Sequence, residues 1–160
     1  MLLASVLAWL DGGGRVDATY ADDQSGQSAL SLLMAAAQLG SERVVDLLLR
    51  CGAEIDMQSS IGGTALMAAA GQGHERVVDL LLQRGAEVNM QSSDDLTALI
   101  IAASKGHERM VDLLLRRGAE IDLQVSDGST ALIIATGSNQ PAAVQRLLRA
   151  GKDTADALKG

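Results

Sequence analysis

The residues best suited to chemistry in this chain are His74, His107, Cys51 and the glycine clusters, and their spacing decides what they can do. The string His74-Glu75-Arg76-Val77-Val78 begins like the helical zinc-protease motif, in which two histidines one turn apart hold a metal and the glutamate acts as base. Val78 stands where the second histidine is needed, so the ligand pair is missing. Gly71-Gln72-Gly73 fails the dinucleotide fingerprint, because Arg76 replaces the last glycine and no strand is expected ahead of it. Gly12-Gly13-Gly14-Arg15 lacks the Lys and Ser/Thr of a phosphate loop. Both read as turns. No Ser, Thr or Cys is set with a base and an orienting acid except in combinations that recur along the chain. Cys51 takes the place held by Arg84 and Arg117 near a helix end and reads as a partly exposed thiol. Being alone, it forms no internal disulfide, and no Cys/His cluster has zinc-ligand spacing. No catalytic group, cofactor or metal is expected.

What would position these residues is a repeat. Gly52, Gly85, Gly118 and Gly151 fall 33 residues apart, as do Thr64, Thr97 and Thr130, and the pairs Gly73-His74 and Gly106-His107. Residues 62–89 form one copy, 96–122 a close second, and a third starts at Ser129 and decays after Asn139. Each copy reads as two short helices and a turn. Thr64 suits the N-cap of a helix that ends near Gly71 to Gly73, and His74 and His107 read as structural caps at the inter-helix turn. The second helix runs from about Glu75 to Arg84. Its polar residues share one side, while Val77, Val78, Leu80, Leu81 and Leu82 form a stripe too wide for one neighbour to cover. Gly85 ends it, and a turn-rich arm through Ser59, Ser60, Gly62 and Gly63 precedes the next unit.

Composition agrees with thin layers of small side chains. Of 160 residues 48% are apolar but only 1% aromatic, so Leu, Ile, Val, Ala and Met must fill any core. A formal charge of −7 and a pI near 4.7 argue against nucleic acid, which requires clustered Lys and Arg. The opening run from Met1 to Leu10 has no basic residue before it and no cleavage site close behind, so it does not read as a leader, and it is too short to span a bilayer. A cytoplasmic-type reducing compartment, no membrane and a monomer are expected.

The pattern resembles the ankyrin repeat family. Thr64, Leu66, Ala69, Ala70, Gly73, His74, Val78, Leu81, Leu82, Gly85, Ala86, Val88 and Asn89 stand where the family's pattern expects them, and the same holds around Thr97 and mostly around Thr130. Two departures recur. Ala65, Ala98 and Ala131 replace the usual Pro, and Met67, Ile100 and Ile133 replace the usual His. Ala is a good helix former, so neither threatens the fold. The resemblance implies an all-α solenoid of stacked helix-turn-helix units with β-turn arms, one domain over residues 1–160. Within it, 1–22 is a partial repeat, 23–58, 59–91 and 92–124 are repeats, 125–152 is a capping repeat and 153–160 a helical tail.

Both ends are irregular. Gly13 and Gly52 are 39 apart, which implies about six extra residues between Tyr20 and Leu30. Aligning Ser31 with Thr64 keeps the helices in register; aligning Ser28-Ala29-Leu30 splits the insertion. Leu2 to Leu10 reads as a second helix whose first helix is missing, as in a fragment of a longer polypeptide. At the other end the column Leu47, Leu80, Leu113 becomes Arg146, which reads as a buried position turned charged where the array ends.

By resemblance, the positions that vary while the frame repeats are the family's usual partner contacts. They are Ser60, Ile61, Gly63 and Gln72; Ser93, Asp94, Leu96, Ser104 and Lys105; and Ser126, Asp127, Ser129 and Ser138. Tyr20 in the long first arm is the aromatic anchor, the kind of residue on which tight interfaces lean. Glu54, Glu87 and Glu120 form an acidic ladder joined by Asp56, Asp94, Asp95 and Asp122, which calls for a basic or polar protein segment as partner. The expected role is a non-catalytic protein-interaction scaffold, the alternative a structural or targeting module within a larger, enzymatic polypeptide.

Overall fold

The computed structural model describes residues 8, 12–15, 19–20 and 30–157, and in it each hydroxyl residue ahead of an Ala- and Leu-rich run opens a helix. Ser31, Thr64 and Thr97 hold extended backbone, and their side-chain oxygens accept the N–H of Met34, Met67 and Ile100 at 3.2, 3.3 and 3.2 Å. Each satisfies one N–H that the helix start leaves without an internal partner. Ser31 lies one period before Thr64, so the extra residues of the first arm all precede it. The elements are β1 (Thr19–Tyr20) and β2 (Leu30–Ser31), then α1 (Leu32–Gln38), α2 (Glu42–Arg50), α3 (Ala65–Gln72), α4 (Glu75–Gln83), α5 (Ala98–Lys105), α6 (Glu108–Arg116), α7 (Ala131–Gly137) and α8 (Pro141–Ala157). The strands are a minimal antiparallel pair, Thr19 opposite Ser31 and Tyr20 opposite Leu30. The fold is an all-α repeat. Among the described residues, no helix is long and apolar enough to cross a membrane.

Thr130 departs from the capping rule. It is extended like its counterparts but makes no side-chain cap bond, and its backbone pairs with Gln124 in an isolated bridge instead. Removing a hydroxyl cap costs about 1 kcal/mol, so Thr97→Ala should lower stability by about that much in urea denaturation while Thr130→Ala costs clearly less. Equal losses would show that the cap bond is not what Thr97 contributes.

The chain divides after Glu87 into two compact units. In the first, α1 packs on α2 and on α3, and α4 packs on α3 and on α2. Leu33, Met34, Ala36, Ala37, Val45, Leu48, Leu66, Ala69, Ala70, Val78 and Leu81 are buried there. In the second, α5 packs on α6 and on α7, and α8 packs on α7 and on α6, around Leu99, Ile100, Ala102, Ala103, Met110, Val111, Leu114, Ala135, Ala143 and Leu147. Burying a Leu is worth roughly 1.5–3 kcal/mol, and a single helix pair collects that only when another pair covers it. The stripe on α4 behaves accordingly, with Val77, Val78 and Leu81 buried and Leu80 and Leu82 half-buried.

Two expectations need correction, and one member of the period departs from its counterparts. His74 and His107 occupy the residue before α4 and α6, but neither side chain caps its helix. The His74 ring Nε2 lies 3.0 Å from the Gln38 carbonyl at the end of α1, so it links one helix pair to the previous one. Next, the column of Leu47, Leu80 and Leu113 is half-buried rather than buried. Arg146 therefore meets water and reaches back to α6, 2.8 Å from Glu108 and 3.6 Å from Asp112. Last, Gly151 does not end a helix. Gly52, Gly85 and Gly118 have positive φ and are followed by alanines, of which Ala53 and Ala119 are buried against the turn. Lys152 follows Gly151 and supplies no such apolar contact, and α8 runs on to Ala157.

Candidate functional site

The arms carry the exposed variable residues, and their shape follows from three repeated turns. Ser59, Ser92 and Val125 donate their N–H to the carbonyls of Gly63, Leu96 and Ser129 at 2.9, 2.9 and 3.0 Å. Within each, Gly62, Asp95 and Gly128 donate back to Ser59, Ser92 and Val125. This fourth residue of the turn must be left-handed, with φ of 73°, 59° and 82°. Glycine does that without strain; Asp95 is tolerated because a short polar side chain can sit there. Gln58 and Gln91 brace the turns, donating their side-chain amides to the carbonyls of Gly62 and Asp95 at 3.0 and 3.1 Å.

Successive arms are clasped from the side. The Asp56 carboxylate accepts the N–H of Glu87 at 3.1 Å. One period on, the Asn89 side-chain oxygen accepts the N–H of Glu120 at 2.9 Å, and its amide donates to the Glu120 carboxylate at 3.2 Å. Asp56 is thus a structural acceptor rather than a free rung of an acidic ladder. Asp95 is likewise engaged, accepting the Ser126 hydroxyl at 2.5 Å.

Against this frame the sequence-expected contacts separate. In the first unit, Ser60 and Ile61 crown the turn at 59–63 and are exposed, Gly63 is half-buried with its N–H on the Ser59 hydroxyl at 3.1 Å, and Gln72 is exposed at the end of α3. Tyr20 pairs through its backbone with Leu30, but its side chain lies outside the described residues, as does Trp9. In the second unit, Ser93 and Asp94 are exposed at their tip, Leu96 is half-buried, and Lys105 ends α5 in solvent. Ser126, Asp127 and Ser138 are exposed, and Ser129 is half-buried. Ser104 turns inward, its hydroxyl donating to the Ile101 carbonyl of its own helix at 2.8 Å, so its oxygen is used locally. The Asp127 carboxyl is held below the usual carboxylate range by side-chain and then backbone hydrogen bonding to Ser129, whose N–H lies 2.8 Å away. It therefore keeps its negative charge into mild acid.

One exposed residue was missed. Leu39, 63% exposed, stands one period before Gln72, in the same column as Lys105 and Ser138. It borders a small apolar groove with Leu32, Ala35, Ala36, Val44 and Leu48. The period alone could have found it, once Ser31 is fixed as the first cap. With Ile61, 60% exposed, it gives the first unit two large apolar side chains open to solvent. A larger groove lies in the second unit, about 820 Å³ between the end of α6 and the far half of α8. Its charged wall is partly paired, Arg116 with Asp112 at 2.9 Å and Arg146 with Glu108 at 2.8 Å. Among the described residues, no His, Cys, Asp and Glu gather in threes as a metal site would require.

Within each unit the arms hold exposed side chains on a hydrogen-bonded frame that a macromolecule can contact. A family model described as ankyrin repeats matches the chain in three overlapping copies, over residues 8–92, 32–125 and 85–157. No curated protein matches it.

Proposed function

The chain belongs to the ankyrin repeat family, and from that premise we propose that it is a non-catalytic scaffold that holds a basic or polar protein segment. Ankyrin repeats are in general protein-interaction modules. The observation that supports the reading here is the contrast between a constant frame and changing tips. The same turn bonds recur at 59–63, 92–96 and 125–129, while their crowns read Ser60-Ile61, Ser93-Asp94 and Ser126-Asp127. Loop residues on a rigid scaffold are where recognition resides. In this reading Leu39 and Ile61 give apolar contact and the exposed Asp94, Asp127, Glu87 and Glu120 give the charge preference. A lone exposed Cys51 fits a reducing compartment such as the cytoplasm.

The test is affinity capture to identify the partner, followed by titration at rising salt. Each exposed ion pair is worth about 0.2–1 kcal/mol, so Asp94→Lys is expected to weaken binding by up to about fivefold, and salt should weaken the native complex because exposed charges are screened. Binding that ignores both changes would remove the acidic tips from the interface.

A further inference from the structure

The columns of the repeat distinguish two faces on each helix pair. At the last pair Leu132 and Val144 are half-buried, Ile133 is 56% and Leu148 48% exposed. Their counterparts Leu33, Val45 and Met34 on α1 and α2 are buried, and Leu49 is half-buried. These columns therefore face the following pair, which for α1 and α2 is α3 with α4. No residue lining the small apolar groove beside Leu39 belongs to them, so that groove lies on the opposite face, toward the chain ahead of α1. This face is not bare. Of its lining, Ala36 and Val44 are each 5% exposed and Leu48 0%, and about 60 Å³ of the groove is open.

Two observations say which part of the chain closes it. β1 pairs with β2, whose Ser31 leads directly into Leu32 at the groove, so the residues before Thr19 are tethered beside it at high effective concentration. Further back, the described residues repeat the end of a second helix. Ala8 is helical, and the Gly12 N–H donates to its carbonyl at 3.1 Å, as the Cys51 N–H does to that of Leu47 at 2.9 Å. Gly13 has φ of +89° where Gly52 has +87°. This fixes the register. Val6 and Leu10 fall in the columns of Val45 and Leu49, which face onward, and Trp9 falls in the column of Leu48, Leu81, Leu114 and Leu147, all at most 1% exposed. Leu2 to Leu10, which apart from Ala8 lie outside the described residues, carry no charge. We propose that residues 2–10 dock as a helix in this groove, Val6 and Leu10 against Val44 and Leu48, so that the chain itself closes this face of the first unit. Burying their apolar side chains there is favourable. The partial repeat expected at 1–22 thereby gains a docking face.

Trp9 is the chain's single tryptophan and Cys51 its single cysteine, so fluorescence reads the segment directly. In the full chain, Trp9 emission should be blue-shifted, shielded from acrylamide, and able to pass energy to an acceptor dye on the exposed Cys51. Val6→Asp and Leu32→Glu should each lower the ratio of docked to undocked segment by about tenfold or more, because each puts a charge into an apolar contact. The readout is a red shift, easier quenching and weaker transfer. Leu32 opens α1, where an acid suits the helix dipole, so circular dichroism should lose no more helix than residues 2–10 contain. Ala8→Lys, on the exposed side, should leave every signal as it was. A solvent-like Trp9 in the unaltered chain overturns the proposal, as does a shielded Trp9 that ignores either Val6→Asp or Leu32→Glu. Energy transfer from unlabelled chains to dye-labelled Trp9→Phe chains would mean that a second copy fills the groove, and overturns it too. No partner-contact position is altered, so these results leave the scaffold reading to its own test.

Discussion

Leu114→Ala is expected to remove about 3–4 kcal/mol of stability, toward the upper part of the range for emptying a close-packed Leu site. Leu114 is fully buried on α6, which packs against α5 and α8. Those helices present Ala102, Ala103 and Ala143, all buried, and an alanine has no side chain that can swing into a void. Little relaxation is available, so the cavity persists and its walls lose dispersion contacts. A loss of this size is a large fraction of the roughly 5–15 kcal/mol that holds a domain folded. Because repeat stability accumulates from neighbour to neighbour, the damage should be local. Urea denaturation gives the magnitude, and hydrogen exchange should rise first over α5 to α8 while α1 to α4 keep their protection. A loss below about 1 kcal/mol would mean that the site collapses freely, against the packing density of protein interiors.

The second large effect is expected at Gly40→Ala, about 2–4 kcal/mol. Gly40 has φ of +69°, where a residue with a Cβ costs about 1–3 kcal/mol. A methyl group there would also lie 2.7 to 2.9 Å from three atoms of the His74 ring. That ring is held by its contact with the Gln38 carbonyl, worth roughly 0.5–1.5 kcal/mol, which it must abandon to make room. Strain and clash are separable by a double-mutant cycle. His74→Ala opens the space but leaves the backbone left-handed, so Gly40→Ala should cost measurably less in that background. Costs that add to within about 0.5 kcal/mol would show that the two residues do not collide.

The repeat and its two-helix content were legible because both are consequences of spacing. Hydroxyl residues one period apart announce helix starts, and a glycine after a stripe of Val and Leu announces an end. What spacing leaves open is which atom uses a given residue. Thr130 has the same identity as Thr97 and the same place in the period, yet its oxygen caps nothing. His74 sits at a helix start, but its ring is committed to the preceding helix pair, 36 residues back in the chain. Asp56 and Ser104 look like surface groups in the sequence and prove to be occupied, one by the Glu87 N–H and the other by the Ile101 carbonyl. Arg146 was read as a charge expelled from the core because its column holds leucines elsewhere. Those leucines are only half-buried, so the column admits a long side chain whose head reaches Glu108. Leu39 escaped notice for the opposite reason: its column is recognisable only after Ser31, and not Ser28, is known to begin the helix.

The side clasp between arms has its donor in the main chain, at Glu87 and again at Glu120, and only its acceptor in a side chain, Asp56 in one place and Asn89 in the other. A main-chain amide survives every substitution except proline, and either acid or amide can answer it. Each clasp is consequently indifferent to what residues 60–61, 93–94 and 126–127 happen to be, so those crowns are free to drift, or to be exchanged by design, without loosening the hold beneath them.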